Sequence, residues 1–311
     1  MQHQGVEEEG SLEGCPSESA MAGRASVCEG CPGQALCQQQ GAVDPDQESI
    51  DVRMGAIRHK LLVVSGKGGV GKSTVTATLA MALARQDKKV GVLDVDICGP
   101  SIPQLLAVQD GKVISTQWGW KPLQSSHRGI KVMSVASLLD QADSAVVWRG
   151  PRKTQLIKQF LKNTFWGKLD YLIIDTPPGT SDEHLTVLKV LKNAKPDGAL
   201  IVTTPQQVAM DTIRKEVSFC RKMGLPILGL VENMSGFVCP CCQEVTDLFP
   251  REGAEKMAED CSLQIVGKLP IDQALTLCCE EGEDIFACHP ESKIVESFTN
   301  LALEILKLPR R

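Results

Sequence analysis

The chain has 311 residues, enough for one large α/β domain with an extension or for two small domains. Its 33 basic and 38 acidic side chains leave a net charge of -5 with no block of Lys or Arg, which argues against direct nucleic-acid binding. No run of about 18 apolar residues occurs, and residues 1–14 are acidic rather than basic then apolar, so a cytoplasmic protein with no membrane contact is expected.

Residues 1–50 lack periodic apolar positions and are rich in Gly, Glu, Gln, Ser and Pro, a composition that does not build its own core. Yet they hold Cys15, Cys28, Cys31 and Cys37, four of the thirteen cysteines. In a reducing compartment such a cluster points to metal chemistry, and a metal would supply the folding free energy the segment lacks. Zinc modules usually pair their ligands as two close Cys-x-x-Cys knuckles, and only Cys28 and Cys31 make such a pair here. An iron–sulfur cubane also takes four thiolates and tolerates irregular spacing. Spacing alone leaves iron–sulfur, zinc and unligated thiols open.

Residues 45–58 read as a linker with some helical character. Leu61-Leu62-Val63-Val64 then forms a buried strand and runs into Gly66-Lys67-Gly68-Gly69-Val70-Gly71-Lys72-Ser73-Thr74. An Ala/Leu-rich helix over 74–84 follows. Strand, glycine loop and helix are the context that confirms a phosphate-binding loop. Its glycines leave backbone N–H groups free to curl around phosphate oxygens at the positive end of the helix. Lys72 supplies charge to the outer phosphates and Ser73 a hydroxyl to Mg2+. Lys67, at the other end of the loop, cannot easily occupy the same space as Lys72.

A second strand over 90–93 ends in Asp94-Val95-Asp96, which places both acids at the carboxyl end of a strand, where ligands of open α/β sheets sit. Residues 102–128 are poorly patterned, and Trp118 and Trp120 are expected to pack rather than to react. A strand over 131–136 and a helix ending near Leu161 precede Tyr171-Leu172-Ile173-Ile174-Asp175, an apolar strand closed by an acid and then by Thr176-Pro177-Pro178-Gly179. That is a Walker B arrangement, with Asp175 placed to hold Mg2+ directly or through water. His184, beside Asp182 and Glu183 at a helix start, is assigned a capping or surface role. Strands over 198–204, 226–232 and 264–269 alternate with helices over 208–223, from 253 and over 294–306, which implies a parallel sheet covered on both faces. Cys239-Pro240-Cys241-Cys242 interrupts this pattern. Cys98, Cys220, Cys261, Cys278, Cys279 and Cys288 show no ligand-like frame and are expected to be mostly buried small residues.

Lys67-Gly-Gly-x-Gly-Lys72-Ser73 resembles the deviant phosphate loop of the dimeric ATPases that include nitrogenase iron protein, MinD and ParA. Together with Asp94-x-Asp96-x-x-Gly-Pro-Ser101, the 175–182 run, Glu232-Asn233-Met234-Ser235 and the late cysteines, the chain closely resembles the Mrp-type cytosolic iron–sulfur cluster assembly ATPases. Its four-cysteine extension resembles their nucleotide-binding protein 1 branch. The resemblance implies residues 1–50 as a cysteine-rich extension holding a 4Fe–4S cluster and 51–311 as a P-loop ATPase domain. It implies ATP and Mg2+ as cofactors and Asn233 as the adenine contact. Lys67 would reach the opposite subunit's nucleotide, and Asp96 rather than Asp94 would orient the attacking water. A second 4Fe–4S cluster would be bridged across a homodimer by Cys239 and Cys242 from each subunit. That fits the need of a cubane for four ligands, which a twofold axis supplies from two. Cys241 occupies the family's variable position, so the pair Cys239 and Cys241 is a rival to the favoured pair Cys239 and Cys242. The implied partners are apo iron–sulfur proteins and, in a heterotetramer, an ATPase resembling nucleotide-binding protein 2. A MinD/ParA-like positioning ATPase and a reductase component resembling nitrogenase iron protein are the alternatives.

Overall fold

The computed structural model describes residues 24–29, 34, 46–97, 99–138, 150–180, 182–239, 241–242, 244–249 and 253–308. The chain divides into two compact units, Met1–Glu48 and Ser49–Arg311. In the first, a short 3-10 turn over Ser26–Cys28 buries Cys28, while Cys15, Cys31 and Cys37 lie outside the described residues. No helix among the described residues is long and apolar enough to cross a membrane.

The second unit is built on β1 (Ile57–Val64), β2 (Val90–Asp94), β6 (Lys131–Ser134), β7 (Leu169–Asp175), β8 (Gly198–Thr203), β9 (Ile227–Val238) and β11 (Ile265–Ile271). These pair in parallel, with β1 between β7 and β8, β2 between β7 and β6, and β9 between β8 and β11. The expected parallel sheet also carries antiparallel strands at its margins. β5 (Leu123–Gln124) adds to β6 and β10 (Val245–Thr246) to β9, both antiparallel, so the sheet has nine strands among the described residues. A separate ribbon pairs β3 (Ile114–Thr116) with β4 (Gly119–Lys121).

Why both faces are covered can be seen along β1. Its side chains alternate, so Leu62 and Val64 enter one apolar core while Leu61 and Val63 enter the other. The first core is closed by α1 (Gln47–Gly55), α4 (Gly150–Asn163), α5 (Asp182–Val190), α6 (Gln207–Lys222) and α7 (Gly253–Asp260). The second is closed by α2 (Lys72–Arg85), α3 (Ile102–Leu105), α8 (Gln273–Glu281), α9 (Ile285–Cys288) and α10 (Lys293–Leu306). A strand buried on both faces reads as the continuous apolar run seen in the sequence.

Other expectations are refined or overturned. The supposed linker contains a helix, α1, which buries Ile50 and Met54 completely. The strand expected to run to residue 136 ends at Ser134 and passes into a 3-10 turn over Val135–Leu138. Trp120 packs edge-on against Phe160, as expected of an aromatic beside a core, but Trp118 is 64% exposed at the tip of the β3–β4 ribbon and does not pack. His184 is not a surface residue: it is fully buried, edge-on to Phe219.

Candidate nucleotide and thiol sites

Register brings the acids together. Asp94 is the Cα partner of Asp175 across β2 and β7, and of Ser134 across β2 and β6. All three are buried at strand carboxyl ends, beneath the glycine loop that leaves β1. The loop needs its glycines in different ways. Gly69 and Gly71 take φ of 80° and 79°, a left-handed backbone that glycine adopts without strain. A Cβ at Gly71 would stand 2.3 Å from Asn233 Nδ2, and one at Gly66 would stand 2.6 Å from Thr212 Oγ1 on α6. Backbone and neighbours therefore close in to leave a cradle that side chains would fill.

Two lysines of the loop are sorted by burial. Lys72 is buried, with Nζ 2.7 Å from Asp175 Oδ2, whereas Lys67 is exposed at the rim. Ser73 Oγ donates to the same Asp175 Oδ2 at 2.6 Å. Thr76 Oγ1 lies 2.7 Å from Asp175 Oδ1 and 3.0 Å from Lys72 O, so its single proton is shared between them. Thr76 was not among the residues expected from the sequence, although it follows Ser73 by three positions on α2 and so shares its face. Ser134, whose Oγ donates to Asp94 Oδ2 at 3.0 Å, is a second such addition.

The two buried acids differ in their surroundings. Asp175 faces Lys72 and two hydroxyls. Burial, and then the charge of Asp175, push the Asp94 carboxyl well above its ordinary range, against the opposing pull of Ser134, Lys72 and the Asp96 N–H. Asp94 is thus disposed to hold a proton. Asp96 instead borders the open cleft of about 250 Å3 over the loop, with Ser101 and Pro178, and its backbone N–H donates to Asp94 Oδ1 at 3.1 Å. A larger cleft of about 660 Å3 opens at the amino ends of β1 and β7, between Arg58, Lys89, Lys168 and Asp170. It holds neither the loop nor the hydroxyl–carboxylate cluster, so the chemistry belongs to the smaller one.

Asn233 sits mid-way along β9 and donates from Nδ2 to Val70 O of the loop at 2.8 Å. Beyond it β9 turns at a hairpin. Val238 pairs with Val245, and Cys239 N donates to Glu244 O at 2.9 Å. Cys239, Cys241 and Cys242 lie at this tip. Backbone N–H groups of Cys242 and Cys241, with both of their thiols, hold the Cys239 thiol below its ordinary range. Both neighbours thus lie against Cys239, although the three sulfurs do not all fall within 4.8 Å of one another.

A family model for NUBPL iron-transfer P-loop NTPases, within the ParA group, matches residues 56–306. The chain belongs to this family. It is 50% identical over 299 residues to a cytosolic Fe-S cluster assembly factor NUBP1 homolog of Caenorhabditis briggsae, an alignment covering 94% of this chain and 95% of that protein. The corresponding protein of Brugia malayi is 49% identical over 306 residues, 96% and 98% of the two chains. Among solved structures, a nucleotide-binding protein of Archaeoglobus fulgidus in complex with ADP superposes with a TM-score of 0.69 at 40% identity, over 81% of this chain and 96% of that one. The cell division ATPase MinD of Pyrococcus furiosus gives 0.57 at 26% identity, over 81% and 99%. The chain is thus a P-loop ATPase with the MinD-type fold, as its loop suggested.

Proposed function

We propose that this NUBPL-family ATPase is a cytosolic scaffold that assembles 4Fe–4S clusters and passes them to apoproteins of the cytosol and nucleus. One strand carries the reading. β9 touches the phosphate loop through Asn233 and ends one residue before Cys239. Six residues of chain separate the nucleotide site from the thiols, less than the about 20 Å of a straight strand because β9 bulges between Asn233 and Phe237 at a left-handed Met234. A change in how the loop grips its ligand therefore has a direct mechanical route to the cysteines.

The residues fit ATP and Mg2+. The cradle around Gly66 and Gly71 offers backbone N–H groups to phosphate, and Ser73 with Asp175 supplies the oxygen donors that Mg2+ takes. Bound there, Mg2+ would neutralise phosphate charge. On nucleotide binding Lys72 exchanges its Asp175 partner for the terminal phosphate. Asn233 takes the adenine contact and Asp96, at the mouth of the cleft, orients the attacking water. Exposed Lys67 reaches the nucleotide of the opposite subunit in a homodimer. Loss of the phosphate that these groups share removes a reason for the subunits to stay closed.

The cluster is cargo. Cys239 and Cys242 from each subunit would hold it, since hydrogen bonds from Cys242 and Cys241 favour the thiolate form of Cys239, the form that ligates iron. Cys15, Cys28, Cys31 and Cys37 would hold a second, resident 4Fe–4S cluster. The working assembly would be this homodimer or a heterotetramer with an ATPase resembling nucleotide-binding protein 2. Anaerobic reconstitution with iron and sulfide, followed by iron quantitation and Mössbauer spectra, tests the reading. Loss of one 4Fe–4S signal per chain in Cys28→Ala and one per dimer in Cys239→Ala is expected. A wild-type chain that retains zinc and takes up no iron would overturn it.

A further inference from the structure

Cys278 lies on α8, Cys288 ends α9, and Glu283 stands in the turn between them. Gly282 makes that turn with φ of 68° and lets the chain reverse. The reversal brings residues five and ten apart in sequence to one point: the two sulfurs and a Glu283 carboxylate oxygen all lie within 4.8 Å of one another. Cys288 Sγ is 3.5 Å from Glu283 Oε2. In a tetrahedral zinc site, bonds of about 2.3 Å to sulfur and about 2.0–2.2 Å to oxygen give a sulfur–oxygen edge of about 3.5 Å.

We propose that Cys278, Cys288 and Glu283 form a binding site for a thiophilic divalent cation of the zinc class, with a fourth position open to water. Two sulfur donors select against Mg2+ and Ca2+, which prefer oxygen, and the carboxylate completes a donor set of the kind zinc accepts. Burial is graded in the right sense. Cys278 is only 2% exposed, while Cys288 and Glu283 are exposed, so the site is rooted in the fold and open to solvent. Cys288 also borders a cleft of about 490 Å3, with Gln273, His289 and Ser292 on its walls, wide enough to admit a hydrated ion. Burial first, then Cys288 and Glu283, push the free Cys278 thiol up to about 12, a penalty that a bound cation reverses by stabilising the thiolate. The gain is structural: α9 is only four residues long, and a cation would tie both of its flanks to α8. None of these residues serves the cluster-assembly reading, so the inference does not rest on it.

The test is a Co2+ titration of the full chain, fully reduced, read by thiolate-to-cobalt charge-transfer absorption and then by Zn2+ displacement. Cys288→Ala is expected to bind one cobalt ion fewer per chain than wild type, and Glu283→Gln to bind that ion roughly tenfold or more weakly. Cys278→Ala should lose the same ion, but it opens a buried position. The exposed Cys288→Ala therefore decides, with nucleotide affinity as the check that it folds. Cys220→Ala, which removes a buried thiol elsewhere, should keep the full count. An unchanged cobalt count in Cys288→Ala would overturn the proposal.

Discussion

Replacing Gly71 by Ala tests the loop geometry most directly. The residue holds φ of 79° and caps α2, and its Cβ would meet Asn233 Nδ2 at 2.3 Å. A left-handed alanine costs about 1–2 kcal/mol. Pushing the Asn233 amide aside also breaks its bond to Val70 O, a further loss of about 0.5–1.5 kcal/mol. The sum, about 1.5–3.5 kcal/mol, corresponds to nucleotide affinity weakened roughly 10- to 300-fold. Gly69→Ala carries the same backbone strain at φ of 80° but has nothing within 4 Å of its Cβ, so it should lose only roughly 5- to 30-fold. Isothermal titration of nucleotide into both variants separates the terms. In an Asn233→Ala background the steric part disappears, and Gly71→Ala should there cost no more than Gly69→Ala does in the wild-type chain. If Gly71→Ala binds nucleotide as tightly as Gly69→Ala, or loses as much with Asn233 absent as with it present, the packing argument is wrong.

Four further outcomes follow from the buried titratable groups. Asp175→Asn strands the Lys72 ammonium, 6% exposed, without its carboxylate, and urea unfolding in Mg2+-free buffer should show about 3–5 kcal/mol lost. Asp94→Asn, which mimics the protonated form that burial and Asp175 already favour, should stay within about 1 kcal/mol of wild type in the same assay. Burial raises the Glu216 carboxyl from 4.5 to about 7, so the stability it contributes is complete below pH 4.5 and lost as pH rises through 7. Glu216→Gln should therefore be more stable than wild type at pH 8, by up to about 3 kcal/mol, with the advantage vanishing near pH 4.5. Burial, with Lys72 adding and Glu183 opposing, lowers His184 from 6.5 to about 4. Its contribution is complete above pH 6.5 and lost as pH falls through 4, so His184→Gln should flatten the acid limb of the stability profile.

What was legible in the sequence was what is local along it. The phosphate loop, its flanking strand and helix, and the acid-ended strands at Asp94 and Asp175 each declare themselves within about ten residues, because glycine, lysine and a β-run must be contiguous to work there. Thr76 was legible in principle. Once α2 is known to start at Lys72, helical spacing carries Ser73 and Thr76 to one face, and Asp175 receives both. Ser134 was not, because only the order of β7, β2 and β6 in the sheet sets it against Asp94, and no pattern within β6 encodes its neighbours. Asn233 is marked by its motif, but its grip on Val70 O depends on β9 passing the loop 163 positions later in the chain.

The cysteines make the same point from the other side. At 239–242 they cluster in sequence, so a metal function was open to inspection, and the hairpin closed by Cys239 N and Glu244 O adds the geometry. Cys278 and Cys288 were set aside for want of a ligand-like frame, since ten residues apart they match no short spacing. Gly282 supplies the frame by reversing the chain between two helices, each opened by an aspartate cap. Asp272 accepts from Leu275 N and Asp284 from Phe286 N. The cap residues and the glycine were all visible as helix start and stop signals. Applying them would have shown α8 and α9 as a tight helical pair and placed Cys278 near Cys288. Turn chemistry rather than cysteine spacing encodes this cluster in the sequence.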